Sequence, residues 1–178
     1  VQAGTDQWLI PAPLANPEVD VMIGAGRSVA GVEIIYQRGA VRKLLRALRA
    51  GRHVALLLDQ NTKPEDGGAF VDFFGLPIPM SSAAAVLAER TGKPIAPVFC
   101  AGDDSGHYTI YARPMLETTP AAASAADAVQ AATQNIAAVF EREISAAPGQ
   151  WLWMYKRWKY VCPDLPRSAY PFYAKPLR

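Results

Sequence analysis

The stretch that most constrains this chain runs from residue 53 to residue 100. Residues 54–58 form an apolar run that stops abruptly at Asp59-Gln60. A run of that length, bounded by polar and turn residues, predicts a strand buried on both faces. Residues 61–68 are rich in Asn, Pro, Asp and Gly and predict a loop. Residues 69–74 are apolar and aromatic, and Gly75, Pro77 and Pro79 close them off. Ser81 or Ser82 can cap a helix running to about Arg90. Thr91-Gly92-Lys93-Pro94 stops that helix, and residues 95–100 predict a second buried strand. Strand, loop, helix, strand predicts a crossover with two parallel neighbouring strands. Asp59 and Gln60 would then lie at a strand's carboxyl end, where open α/β sheets bind ligands.

The rest of the chain extends the same pattern. Residues 7–10 predict a short strand entering a proline-containing loop, residues 11–17, and residues 19–30 a helix containing Gly24 and Gly26. Residues 32–36 predict a strand and residues 40–50 a helix ended by Gly51. In that helix Val41, Leu44, Leu45 and Leu48 share a face. Arg42, Lys43, Arg46 and Arg49 lie off it, with Arg38 and Arg52 flanking. Such a patch is either a solvated helix face or a landing site for acidic partners. Residues 108–112 predict a strand in a hairpin with the one before it. Residues 120–123 read as a linker. Residues 125–146 predict a long helix, with Val129, Ala132, Ile136, Val139, Phe140 and Ile144 facing the core. Residues 151–160 interleave Trp151, Trp153, Tyr155, Trp158 and Tyr160 with Lys156, Arg157 and Lys159. That mixture suits a membrane interface, although Trp151 and Trp153 are expected to pack inward. The prolines beyond residue 160 predict a tail, residues 161–178, wrapping the surface. The whole predicts a single α/β domain over residues 1–178, with a mixed, mostly parallel sheet flanked by helices.

A chain of 178 residues can bury one sizeable core. A net charge of +2 gives no argument for nucleic acid as a partner. The two cysteines are too few for a disulfide framework, and neither has a Cys or His at metal-ligand spacing, so no metal is expected. Cys100, in a predicted core strand, is expected to be a buried, inert thiol. No apolar run approaches the length of a membrane span.

Several motifs occur together and in order. They are Pro13-Leu14-x-Asn16-Pro17, Arg27-Ser28, Asp59-Gln60, Phe70-Val71-x-Phe73-Phe74-Gly75, Arg90-Thr91-Gly92-x-Pro94, Pro97-Val98, Pro148-x-Gln150-Trp151-Leu152-Trp153 and Lys156-Arg157-Trp158-Lys159. Together they resemble the bacterial lipid A biosynthesis acyltransferases, the late acyltransferases of the lysophospholipid acyltransferase superfamily. The resemblance implies a glycerolipid acyltransferase-like fold. It also implies transfer of a fatty acyl group from acyl carrier protein to a hydroxyl of a lipid A precursor or related glycolipid, without a cofactor. The expected place is the cytoplasmic face of the bacterial inner membrane, with this chain peripheral to it. Members of the family carry an apolar anchor and a catalytic His-x4-Asp/Glu motif. The chain opens on Val1 rather than Met, so both are expected upstream, this sequence being a C-terminal portion. Ala12 stands where related enzymes usually have arginine.

Acyl transfer needs a base for the acceptor hydroxyl and donors for the oxyanion. His53 precedes Asp59 by six residues, and along a strand the two would be roughly 20 Å apart at ~3.3 Å per residue. His107 has no acid five residues on. No catalytic residue is therefore assigned within the chain. The resemblance implies substrate-binding roles for Arg27, Asp59, Gln60, Ser82, Phe74 and Gly75. Each has a plainer alternative. Arg27 could be a surface ion pair, Asp59 a loop cap and Ser82 a helix cap. Phe73, Phe74 and Gly75 could line an acyl-chain groove or belong to the core. The alternative for the whole chain is a catalytically silent module that binds lipid headgroups or a membrane.

Overall fold

The computed structural model describes residues 7–9, 16–29, 33–34, 40–117 and 124–177. Ala12, Pro13, Leu14, Arg38, the linker 120–123 and the side chains of Arg27 and Ser28 lie outside the described residues. The chain divides into two compact units, Val1–Leu57 and Leu58–Arg178.

In the first unit, strands β1 (Gln7–Leu9), β2 (Glu33–Ile34) and β3 (His53–Ala55) form a parallel sheet in the order β2-β1-β3. Helix α1 (Pro17–Val29) starts where the Asn16 side chain accepts from the backbone N–H of Glu18 at 3.0 Å. Pro17 follows with its φ preset for the first turn. Helix α2 (Ala40–Arg49) buries Ala40, Leu44 and Ala47 along one stripe. Leu45 and Leu48 are half-buried beside that stripe, whereas Val41 is exposed. Arg42, Lys43, Arg46 and Arg49 are all exposed. The chain leaves α2 through Gly51 at φ 78°, a left-handed residue that ends helices without a Cβ penalty.

The second unit is built on a hairpin that the sequence did not advertise. Strands β4 (Gly68–Phe73) and β5 (Leu76–Ser81) pair antiparallel over their full length. Their turn is only Phe74 and Gly75, at φ 50° and 79°. Positive φ at both central residues is what a type I′ turn requires. Pro77 and Pro79 sit two apart, so both lie toward the side of β5 away from β4. There the Pro77 carbonyl accepts from the Tyr170 hydroxyl at 2.8 Å, and the Pro79 carbonyl accepts from the Thr62 N–H at 3.1 Å. Prolines so placed cost the β4–β5 ladder nothing.

Helix α3 (Ala83–Thr91) follows and ends at Gly92, φ 63°. Strands β6 (Val98–Gly102) and β7 (Tyr108–Ala112) make a second antiparallel hairpin. Helix α4 (Ala125–Ala146) is capped by Ser124, whose hydroxyl accepts from the Asp127 N–H. It covers the free edge of β4 with side-chain amides. Gln134 accepts from the Asp72 N–H and donates to the Asp72 carbonyl, while Gln130 donates to the Phe70 carbonyl. Gln150 clamps both backbone groups of Gly102 in the same way. Val71, Phe73, Ile78 and Met80 of the first hairpin are buried, as are Ala84, Ala85, Leu87 and Ala88 of α3 and Ile136, Ala137, Val139 and Ile144 of α4. A second buried cluster joins Val161, Cys162, Tyr170 and Ala174, with β8 (Tyr160–Val161) parallel to β9 (Lys175–Pro176).

The structure is mixed α/β, as expected, but not mostly parallel. The two antiparallel hairpins carry most of the paired residues, and the parallel ladders are two or three residues long. The expected crossover fails because β5 intervenes between the loop and α3, and because β6 pairs with β7 while β3 pairs with β1. Nor is the 54–58 run buried on both faces: among the described residues β3 stands at the edge of its sheet, and Leu57 is 66% exposed. Cys100 is exposed rather than buried. It lies on the open face of the β6–β7 hairpin with Val98 and Ile110. The opposite face, Phe99 and Tyr111, stacks toward Phe140 of α4.

Candidate functional site

Asp59 and Gln60 form an exposed bend at the start of the second unit. What holds this bend comes from far along the chain. The Asn61 N–H donates to the Tyr155 hydroxyl at 2.8 Å, and its side-chain amide donates to the Lys156 carbonyl at 3.1 Å. Its side-chain oxygen accepts from Nη1 of Arg157 at 3.2 Å. Three consecutive residues thus engage three separate groups of Asn61. Nη2 of Arg157 also reaches the Leu58 carbonyl, at a long 3.5 Å. Arg157 therefore touches the residues on either side of Asp59-Gln60.

Arg157 is itself unusual. It is only 2% exposed. Among the described residues no carboxylate forms an ion pair with it, and its Nε has no hydrogen-bond partner. Its guanidinium lies over the Phe73 ring at 5.6 Å. Burial pushes its pKa down to about 10, against the attraction of Tyr155 and Asp59. A buried cation without a carboxylate weakens the fold, so stability alone gives no reason for this residue.

The remaining expected site residues are distributed as follows. Arg27 lies in α1, in the first unit. Ser82 stands at the start of α3 but does not cap it: its hydroxyl donates to the Gly67 carbonyl at 2.7 Å, and no side-chain capping bond is made. The cap reading of Ser82 is thereby corrected: its backbone, at φ −88° and ψ 3°, lacks the extended geometry of a capping residue, and its hydroxyl is turned to the Gly67 carbonyl. Phe73 and Phe74 part company. Phe73 is core, with the Trp158 indole N–H donating to its carbonyl at 3.3 Å. Phe74 is 42% exposed, and its N–H is held by the Glu141 carboxylate. Gly75 supplies the left-handed turn. Trp151 packs on Phe140 as expected, but Trp153 is 54% exposed, because its indole N–H bonds the Pro148 carbonyl instead of turning inward.

One arrangement outside the bend looks catalytic and is not. On the β6–β7 turn the Ser105 hydroxyl lies 2.6 Å from Asp103 and 2.7 Å from Nδ1 of His107. The serine proton goes to Asp103, and the His107 side chain is 84% exposed. A nucleophilic serine needs the opposite order, with histidine between hydroxyl and acid. The Asp103 carboxyl is held below its ordinary value by the Ser105 hydroxyl and the His107 N–H, as befits a turn cap. Among the described residues no group of His, Cys, Asp and Glu could hold a metal, and no helix is long and apolar enough to cross a membrane.

Sequence reasoning did not single out Asn61 or Arg157. The available signal was position: Asn61 directly follows Asp59-Gln60, and Arg157 lies in the 156–159 run. These are also segments that the family comparison covers. The profile of the bacterial lipid A biosynthesis acyltransferases matches residues 9–160, and the chain belongs to that family. Among individual proteins, it is similar to the phosphatidylinositol mannoside acyltransferases of two Mycobacterium tuberculosis strains, CDC 1551 / Oshkosh and H37Rv. Each is 31% identical over 137 residues. The match covers 74% of this chain and 40% of each relative, so the chain spans well under half the length of the curated relatives it matches.

Proposed function

We propose that this chain forms the acceptor-side part of an acyltransferase that moves a fatty acyl group from acyl carrier protein to a hydroxyl of a glycolipid, a lipid A precursor or a related molecule. The observation that carries this reading is the Asp59-Gln60 bend. In a chain of this family, it offers an exposed carboxylate and amide, pinned from both sides by Arg157 and Asn61. Carboxylate and amide are the groups that hydrogen-bond sugar hydroxyls, and a fixed bend holds them in one geometry. The mycobacterial relatives are named for a glycolipid acceptor, which favours a glycolipid over a plain phospholipid. The exposed Arg42, Lys43, Arg46 and Arg49 of α2 suit the acidic surface of a carrier protein. The place of action in this reading is the cytoplasmic face of the bacterial inner membrane.

The test is to present the protein, with its native upstream sequence, with labelled acyl carrier protein thioester and a panel of glycolipids, and to read acylated product by mass spectrometry. Ester formation on a glycolipid is the expected result. The second reading, a silent headgroup-binding module, is favoured by one observation: Ala12 stands where related enzymes usually have arginine. Retention on glycolipid vesicles without transfer of any acyl group would establish that reading instead.

A further inference from the structure

In the second unit lies a cavity of about 330 Å³ lined by Lys63, Tyr160, Lys175 and Pro176. Three ammonium groups converge on its one aromatic ring. Lys159 Nζ lies 5.4 Å from the Tyr160 centroid, Lys63 at 5.8 Å and Lys175 at 5.9 Å. The backbone builds this convergence: β8 carries Tyr160 and pairs with Lys175 of β9, and the Lys175 N–H donates to the Lys159 carbonyl at 2.9 Å. Lys63 bonds Glu65 at 2.9 Å. Among the described residues, neither Lys159 nor Lys175 has an ion-pair partner. Lys63 and Lys175 line the cavity, and Lys159 meets the same ring from outside that lining; like charges so gathered repel one another and an anion relieves that repulsion, whereas a ring face attracts cations without neutralising them.

We propose that Lys63, Lys159, Lys175 and Tyr160 form a receptor for a phosphate group borne by the acceptor lipid. This rests on the acyltransferase reading in assigning the phosphate to the acceptor. The concavity suits a single headgroup rather than a protein face. The segments that supply the lysines also carry apolar side chains turned to solvent. Leu152, Trp153 and Met154 precede Lys156 and Lys159, and Phe172, 94% exposed, precedes Lys175. Cations at headgroup level with exposed apolar neighbours fit a lipid surface, and free phosphate in solution would have no use for them.

Binding is measured without turnover. The probes are phosphatidylcholine vesicles with and without phosphatidylinositol, soluble glycerophosphoinositol, and inorganic phosphate. The variants are the double substitution Lys159→Gln/Lys175→Gln and a charge-matched control, Arg90→Gln/Lys93→Gln, at exposed positions near the end of α3. Each lysine at a lipid surface is worth about 1 kcal/mol, so the pocket variant should bind phosphatidylinositol vesicles roughly tenfold or more weakly, and the control much less so. Glycerophosphoinositol binding that the pocket variant loses supports the headgroup source. Two outcomes of the binding series overturn the proposal: binding of inorganic phosphate alone, or equal loss in both variants. Acyl transfer, assayed on the same preparations, separates the two readings. Pocket-dependent binding without transfer overturns the enzyme and leaves the pocket. Transfer with an unchanged acceptor KM in the pocket variant overturns the pocket and leaves the enzyme.

Discussion

Replacing Arg157 by methionine separates support of the fold from support of the site. Methionine keeps an unbranched stem in the same space and removes the cation. Burial lowers the arginine's pKa to about 10, which corresponds to roughly 3 kcal/mol against the charged form that the variant no longer bears. Against this, the Asn61 side-chain oxygen loses its donor at 3.2 Å, and the Leu58 carbonyl loses a weak one at 3.5 Å. An unsatisfied buried acceptor costs about 1–3 kcal/mol. The terms nearly cancel. A thermal midpoint in a chain of this size moves about 2–4 °C per kcal/mol, so it should shift by only a few degrees. The bend loses its Arg157 anchor, however, while Asn61 keeps its bonds to Tyr155 and Lys156, and misplacing a substrate contact by ~1 Å can cost on the order of 100-fold in rate. The assay is thermal unfolding by circular dichroism beside acyl transfer by the protein with its native upstream sequence. There is also a pH signature. The folded-state value lies below the unfolded one, so the cation opposes folding at neutral pH. That opposition fades as pH rises above about 10 toward the ordinary arginine range, and the variant should lack that component. A midpoint lowered by more than about 10 °C, or full transfer by a stably folded variant, would refute the reasoning.

Three further outcomes are expected. A Cβ at Gly68 would lie 1.8 Å from the Thr62 carbonyl oxygen, a backbone clash that no rotamer relieves. Gly68→Ala should therefore destabilise by on the order of 3 kcal/mol, read as a lower urea midpoint; an unchanged midpoint would mean that the loop before β4 is pliant. Phe74→Asn places at φ 50° a residue that tolerates the left-handed region. It should leave the unfolding temperature equal or higher while weakening retention on lipid vesicles, and a marked fall in temperature would show that the exposed ring supports the fold. Glu143 accepts two bonds from Arg113, at 2.6 and 2.8 Å, and a third from Tyr111. These hold its carboxyl below the ordinary 4.5, so the stability they lend is present above that pH and is lost as pH falls through the lowered value. Glu143→Gln should flatten acid unfolding in that window, and an unaltered acid profile would exclude the pair as a contributor.

The sequence revealed its elements better than their pairing. The periodicity of residues 125–146 reproduces α4, and the Gly92 stop reproduces the end of α3, because both signals are local. The β4–β5 hairpin was hidden because Pro77 and Pro79 read as breakers. Only the register shows that both lie away from the ladder. Phe74-Gly75 was equally opaque, since a phenylalanine at positive φ has no propensity signal and is held by Glu141, 67 residues on. At the site, Asp59 and Gln60 were legible as polar residues ending an apolar run. Asn61 and Arg157 were not, because their meaning lies in a contact across 96 residues. Ser82 carried a capping signal that its backbone angles and its hydroxyl's turn toward Gly67 overrode.

The most direct measurement is acceptor-dependent acyl transfer by the protein with its native upstream sequence, comparing wild type with Asp59→Asn and Gln60→Ala. Donor thioester hydrolysis without acceptor serves as the internal control. If the bend holds the acceptor, kcat/KM for the glycolipid should fall by roughly 100-fold or more in Asp59→Asn, with hydrolysis of the donor unchanged. Equal acceptor kinetics in wild type and both variants would contradict the assignment of the acceptor to the Asp59-Gln60 bend.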